Sequence, residues 1–432
     1  MTPQIPQVHP NRRTLNDEAH ARPSEALSPP CAISFLALFN ASRSREQHMA
    51  PLAQLCRRYG VPEPPSDTIH FSSDLGPFRV KWERHTEFTR YKFIVANPGG
   101  APFERPAIGA VPQDWLSSLP GQIVAAAEIA HIRMDQGDIE YDALSARYFS
   151  GHSLVGALVA EGAGAAVTDL RIREDGFSRF LLIDHALSPR QAGRMVQRLV
   201  EIDAYRILAL FALPVAREVL PRLLEAEAEL AAISAAMSIE QGPEEPQLLD
   251  RLTRLEAQIQ HRHFETASRF SAADAYYRLV QARIDELRES RILGLQTFRE
   301  FIDRRLAPAM STCASVSSRQ EKLSLRVGQT TQLLSTRVEV ATQRQTQTLL
   351  ESMNRRARLQ LRLQQTVEGL SVAAITYYVV GLIAVIARGL ASGGVAVKPE
   401  VVTAVSVPLV ATVVALGVRR VRRAFAPEDH AD

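Results

Sequence analysis

Two stretches near the C-terminus interrupt the mixture of polar and apolar positions found elsewhere in the chain. They are residues 370–387, LSVAAITYYVVGLIAVIA, and residues 401–418, VVTAVSVPLVATVVALGV. Neither contains Asp, Glu, Lys, Arg, His, Asn or Gln. Eighteen helical residues rise about 27 Å, close to a bilayer core of about 30 Å. A surface helix of a soluble domain keeps a polar face, which both stretches lack. Pro408 would break a soluble helix interior, whereas membrane helices accommodate proline. The pattern predicts a transmembrane hairpin rather than a pair of buried core helices. Tyr377 and Tyr378 fall near mid-span and are expected to face a partner helix.

The first 186 residues read as α+β. Residues 31–39, CAISFLALF, have the length and apolar content of a strand. Residues 44–60 read as a helix with Ser44 as its N-cap and Gly60 as its stop. In residues 78–88, Phe78, Val80, Trp82 and Phe88 alternate with Arg79, Lys81, Glu83, His85 and Glu87, predicting a half-buried strand with one solvated face. Residues 120–134, PGQIVAAAEIAHIRM, read as a helix. Residues 153–160, 165–172 and 177–184 predict an antiparallel meander, with Asp175-Gly176 supplying the left-handed positions of a tight turn.

From Ser188 the period becomes helical. Ser188-Pro189 is an N-cap followed by an N1 proline, and Met195, Leu199, Ile202, Tyr205 and Leu208 form one stripe. Pro214 is expected to kink or break this helix. Residues 241–247, QGPEEPQ, read as a turn. From Leu248 the chain is expected to stay helical to the first apolar span, with one interruption around Pro308. Leu323, Val327, Leu334 and Val338, then Leu349, Met353, Leu363 and Val367, recur at coiled-coil spacing. Residues 341–348 between them are polar all round. An intramolecular antiparallel bundle and a homo-oligomeric stalk both fit this pattern. The expected architecture is α+β: a mixed or antiparallel sheet domain (1–186), a helical bundle or stalk (187–368), a transmembrane hairpin (369–423) and a short tail (424–432).

Charge orients the hairpin. Arg355, Arg356, Arg358 and Arg362 precede the first span, and Arg419, Arg420, Arg422 and Arg423 follow the second. The loop between them carries only Arg388 and Lys398 as cations. The positive-inside rule places both basic flanks, and both termini, in the cytoplasm. The rest of the composition changes little. The 432 residues are 46% hydrophobic and 22% charged, with a formal net charge of +3, too small to suggest a nucleic-acid partner. Only four of the 50 basic residues are lysines, a bias typical of GC-rich bacterial coding. Cys31, Cys56 and Cys313 are far apart and form no CxxC, so they read as core residues in a reducing compartment. MTPQIPQVHPNRR lacks an apolar signal-peptide region.

Motifs for chemistry are sparse. There is no GxxxxGK[ST] and no HExxH. GHSLVG, residues 151–156, is one residue off a nucleophile elbow and precedes a strand instead of following one. EGAGAAV, residues 161–167, leads into a strand and reads as a turn rather than a phosphate cradle. His261 and Glu265 stand one helical turn apart, a two-ligand metal geometry or a solvated pair, with His263 pointing elsewhere. The densest polar stretch is TDLRIREDGFSRF, where Asp169, Arg171 and Arg173 would share a strand face. With Arg84, His85 and Glu87 they make a candidate binding patch; otherwise they are a solvated sheet face. No cofactor or metal is expected.

Several stretches together resemble DUF3422, a bacterial family of unknown function described as membrane-anchored. They are NDEAHARP (16–23), DLGPFRVKWERHTEFTRYKF (74–93), TDLRIREDGFSRFLLID (168–184), QAGRMVQRLVEIDAYRILALFALPVARE (191–218) and ESMNRRARLQLRLQQTVEGLSVAAITYYVVGL (351–382). The resemblance implies a membrane anchor and assigns no reaction. The order of α+β domain, stalk, two spans and basic tail is also similar to CorA-type magnesium channels, which are pentamers with the first span at the pore. That likeness would place Ser371 and Tyr378 on the pore axis. However, the Gly-Met-Asn motif expected after the first span is replaced by ARGLASGG, and the outer loop has one acid, Glu400. The expectation is a bacterial inner-membrane scaffold or binding module, homo-oligomeric through its stalk. Its partners are then the bilayer and a cytoplasmic protein, and not nucleic acid; a CorA-like channel and a membrane-surface enzyme are the alternatives.

Overall fold

The structure, a computed structural model, describes residues 7–13, 15–16, 24–39, 44–135, 137, 139–238, 244–393 and 398–424. The chain forms two compact units, Met1–Thr331 and Gln332–Asp432. It is an α+β protein.

The first unit is built on one mixed sheet. Its strands are β1 (Cys31–Phe39), β2 (His70–Asp74), β3 (Arg79–Arg84), β4 (Phe88–Ala96), β5 (Gln122–Arg133), β6 (Val155–Val159), β7 (Gly164–Thr168), β8 (Ser178–Asp184) and β9 (Ser290–Arg291). They lie in the order β2-β3-β4-β1-β5-β8-β7-β6-β9. Every adjacent pair is antiparallel except β5 and β8, which run parallel at the centre. The helices are α1 (Arg45–Tyr59), α2 (Gln113–Ser117), α3 (Tyr141–Tyr148), α4 (Pro189–Leu210), α5 (Ala212–Ser238), α6 (Glu245–Leu287), α7 (Phe298–Arg305), α8 (Ala307–Ser392) and α9 (Pro399–Ala424).

Local signals place several elements. Ser44 caps α1 in a capping box with Gln47, and Gly60 ends it at φ 67°, the left-handed value that favours glycine. Ser188 and Gln191 form the same box at the start of α4, with Pro189 in its first turn. The chain breaks at Phe211, so Pro214 falls in the first turn of α5, where its missing N–H is not needed. Strands β6, β7 and β8 form the expected meander.

Other expectations are corrected. Residues 120–134 contain the long strand β5 and not a helix. Alanine favours helix locally, but β5 is covered on both faces, and a doubly buried strand loses the alternation that marks a strand. Strand β7 ends at Thr168, so Asp169, Arg171 and Arg173 lie in a nine-residue loop rather than on a strand face. Phe88 begins β4 opposite Phe39 and lies on the other face from Phe78, Val80 and Trp82. The face of Lys81 and Glu83 is not solvated: the two side chains are 3% and 2% exposed. The helical stretch after Leu248 breaks twice, at residues 288–297 around β9 and at Leu306, and Pro308 sits in the first turn of α8. Most of the 241–247 turn lies outside the described residues.

Each sheet face has its own cover. One carries Leu36, Val80, Trp82, Tyr91 and Phe93 beneath α1 and α2, where Trp115 Nε1 donates to the Pro51 carbonyl at 2.7 Å. The other lies against α4, which packs on β5 and β8 and in turn on α6. Leu323 and Val327 are buried, and the start of α8 joins α5 and α6 through Arg319–Glu227 at 2.6 Å and Thr266–Gln320 at 3.3 Å.

In the second unit, α8 and α9 each contain a stretch long and apolar enough to cross a membrane, with mean hydropathy 2.3 and 2.4 and only 6% of each stretch buried. Tyr377 and Tyr378 are exposed and edge-on to each other at 5.9 Å. Ser371 lines a groove with Val418 of α9, while Tyr378 is 76% exposed.

Candidate functional site

At one end of the sheet, five segments bring together a cluster that no single stretch of sequence contains. Strand β7 closes with Thr168, whose hydroxyl donates to the Arg179 carbonyl at 2.6 Å and accepts from the Leu170 amide at 3.0 Å. The loop then folds on its own aspartates. Asp169 Oδ1 accepts from the Arg171 amide at 3.3 Å, and Asp175 Oδ1 from the Phe177 amide at 2.9 Å. Opposite, α3 runs into buried Phe149, and Ser150 and Gly151 take φ 54° and 74°. The turn lets His152 Nδ1 meet Asp169 Oδ2 at 2.9 Å. Phe103, Ser150 and Leu170, all non-glycine residues around this cluster, have φ between 52° and 68°, a conformation that costs roughly 1 kcal/mol or more each.

Two arginines occupy the centre. Arg173 donates to Asp169 Oδ2 at 3.3 Å, to Ser150 Oγ at 3.1 Å and to the Tyr148 carbonyl at 3.1 Å. Arg179, on β8, donates to the same carbonyl at 3.4 Å. Their guanidiniums lie over Phe149 and Phe103, at 6.0 and 5.1 Å from the ring centres. Burial, and then the charge of Arg173, lowers the pKa of Arg179.

Beneath them is Glu128 on β5, the register neighbour of Arg179 across the parallel pair and of Ser34 on β1. Ser34 Oγ donates to Glu128 Oε2 at 2.7 Å and accepts from the Ile108 amide at 2.7 Å. Burial pushes the carboxyl up to about 8; the Ser34 bond opposes this, Asp175 adds to it and Arg179 opposes it. The folded state therefore keeps a proton that the unfolded chain releases near pH 4.5. Between those values the folded state binds more protons, so stability from this group falls as pH rises across the window. A Glu128→Gln variant is expected to lose that slope. Thermal melts between pH 4.5 and 8 would show it, and parallel wild-type and variant profiles would refute the assignment.

Of the sequence-predicted residues, the structure brings Asp169 and Arg173 together and leaves the Arg171 side chain exposed. Arg84, His85 and Glu87 are elsewhere, at the β3–β4 turn. Glu87 accepts from Arg269 at 3.1 and 3.0 Å and from the Tyr276 hydroxyl at 2.9 Å, and His85 stacks on Phe88 at 4.3 Å. The two groups are displaced sideways across the sheet by about four strand spacings, roughly 19 Å. Glu128, Arg179, His152 and Ser34 were not singled out from sequence. A lone glutamate in an apolar alanine run is the available signal, and the helical reading of residues 120–134 does not bring it out.

Three further groupings lie outside this cluster. Cys31 Sγ is 3.7 Å from His131 Nδ1, and His131 Nε2 is 3.3 Å from Asp184 Oδ2. All three are buried, the thiol is pushed up to about 12 by burial, and His131 is pushed down by burial. A thiol held protonated away from solvent is no nucleophile. On the same face, Lys81, Glu83, Arg90, Lys92, Glu201 and Arg283 tie the sheet to α4 and α6. A groove of about 810 Å³ lies between α5 and α6, with Val219, Leu223 and Ile259 among its lining. His261 and Glu265, with Nε2 and Oε1 3.2 Å apart, are also among its lining residues. Among the described residues, no three His, Cys, Asp or Glu side chains group as metal ligands.

A nine-stranded mixed sheet with a clustered polar site, followed by helices with two exposed apolar stretches, defines the class: an α+β protein with a helical hairpin long enough to span a bilayer. The chain belongs to the DUF3422 family, described as "protein of unknown function", whose profile matches residues 7–425. No curated protein and no solved structure matches the chain.

Proposed function

We propose that this protein is a membrane-anchored binding module of the bacterial inner membrane, its hairpin inserted with both termini in the cytoplasm and its α+β unit working at the membrane surface. The observation that carries the reading is the exposure of the two apolar stretches, 6% buried at mean hydropathy above 2. Apolar surface of that extent marks a lipid or protein contact. The arginines flanking residues 370–387 and 401–418 support the orientation. Leu349, Met353, Leu363 and Val367, each more than half exposed, support self-association of the α8 stalk. In proteins most of a helix's stability comes from packing its apolar face against a neighbour.

Alkaline carbonate extraction tests the anchor: the full chain is expected to stay with the membrane pellet, and recovery in the supernatant would sink it. Orientation is read separately with an impermeant maleimide. Ser392→Cys is expected to label in intact cells and Arg355→Cys only after permeabilisation; the reverse would invert the topology. The mass of the detergent-solubilised protein by light scattering tests self-association, and a monomer would remove it.

A further inference from the structure

We infer that the Arg173–Arg179–Glu128 site binds an oxyanion-bearing small molecule, a carboxylate or a phosphate. The inference rests on the binding-module reading and names its ligand class. Three buried atoms carry it. Arg173 Nε, Arg179 Nε and Glu128 Oε1 have no hydrogen-bond partner among the described residues, although Glu128 is only 5% exposed. Buried polar groups are nearly always paired, and one left alone bears its whole desolvation penalty.

The three belong to one place. Both guanidiniums donate through terminal nitrogens to the Tyr148 carbonyl, which sets the two side chains next to each other. Glu128 is the strand neighbour of Arg179 on the same sheet face. With its proton retained, Glu128 presents a donor, so the three free positions are two N–H groups and one O–H group. Donors alone, two of them cationic, suit oxygen atoms carrying negative charge and exclude a metal ion. Phe103 and Phe149 fix the guanidinium planes. Asp169 holds Arg173 from one side, with His152 on the same carboxylate oxygen, and Asp175 stands 4.0 Å from Arg179. The ion thus enters a site whose outer charges are already balanced, and the unspent Nε–H groups select it. The Arg173 and Arg179 side chains keep 15% and 26% of their surface exposed, whereas the three unpaired atoms are themselves buried, so a solute reaches them by displacing the outer part of the arginine side chains.

The test is calorimetric titration of the full chain in detergent with inorganic phosphate and, separately, acetate. Saturable binding of at least one is expected, roughly ten- to hundredfold weaker in Arg179→Gln, as for the loss of a charged hydrogen bond. Arg171→Gln, which removes a neighbouring exposed charge, is expected to bind as wild type. At pH 9, above the value of about 8 for Glu128, Glu128→Gln is expected to bind several-fold tighter than wild type. Arg173→Lys keeps the charge and loses the Nε–H, so weakened binding there supports the site even if Arg179→Gln fails to fold. No saturable binding of either ion, or equal losses in Arg171→Gln and Arg179→Gln, would overturn the inference. Neither result touches the anchor, which the carbonate extraction reads alone. Repeating the titration in phosphatidylglycerol and phosphatidylcholine nanodiscs separates sources: equal binding in both assigns a free solute, and competition confined to phosphatidylglycerol assigns a headgroup.

Discussion

Replacing Glu201 with alanine is expected to destabilise the α+β unit by about 3–5 kcal/mol, the range for breaking a buried ion pair from one side. Glu201 lies on α4 with 6% of its side chain exposed, accepts from Arg90 of β4 at 2.9 Å, and is also held by Arg283 of α6. It joins sheet, α4 and α6 through one carboxylate. Burial alone would raise its pKa, but Arg90 and Arg283 outweigh burial and hold it below the usual carboxylate range. Removing it leaves Arg90 with Glu83 alone, in a cluster where Lys81 and Lys92 are also buried. Burial, with Lys81 beside it, already pushes Lys92 down to about 7, so the cluster has no spare tolerance for positive charge. Trp82 and Trp115, the two tryptophans of the chain, are buried in the same unit and report its melting by fluorescence. A fall of roughly 10 °C is expected; a change of one or two degrees would mean that water already solvates the network. Glu83 adds a pH signature. Burial opposes its ionisation, but Arg90 and Lys81 prevail and hold it at about 2. Its stabilising contribution is present above the unfolded value near 4.5 and is lost as pH falls towards 2.

That network also shows where sequence reading stops. Helix caps at Ser44 and Ser188 and the two apolar spans were legible because each depends on neighbours a few residues away. The alternation in residues 78–88 revealed a strand, but not that its polar face would be covered by helices that begin more than a hundred residues later. Lys81 and Glu83 have the residue types of a solvated face; they pair with each other and with Arg90 within the sheet, on the face that α4 covers. Strand β5 reads as a helix for a related reason: alanine-rich and covered on both faces, it offers helix propensity and no alternation. The candidate site divides the same way. Asp169 and Arg173 are close in sequence and stood out as a polar concentration. Glu128, Ser34 and Arg179 meet only through the order β1-β5-β8, which periodicity does not encode, and that order also places Arg84, His85 and Glu87 four strands away.

Gly193→Ala is expected to destabilise by about 3 kcal/mol, at the upper end of the overpacking range, although helix propensity alone would make the same change stabilising by about 1 kcal/mol. The two effects have opposite signs, so the measurement decides between them. Gly193 is in the second turn of α4, and a Cβ there would lie 1.6 Å from the Glu25 carbonyl oxygen and 2.8 Å from its carbon. These are backbone atoms, so no side-chain rotation relieves the overlap. The segment that must move is tied at several points: the Leu27 amide donates to the Pro189 carbonyl at 2.9 Å, Leu27 is buried, and Glu25 accepts from Ser72 Oγ at 2.7 Å and pairs with Arg79 at 3.4 Å. It leads directly into β1, which carries Ser34. The expected result is a lower melting temperature together with new cleavage at Glu25 by a glutamate-specific protease, because the segment leaves the helix when the methyl group enters. A melting temperature that rises by a few degrees, with Glu25 still protected, would show that propensity wins and that α4 and this segment do not approach as closely as the fold describes.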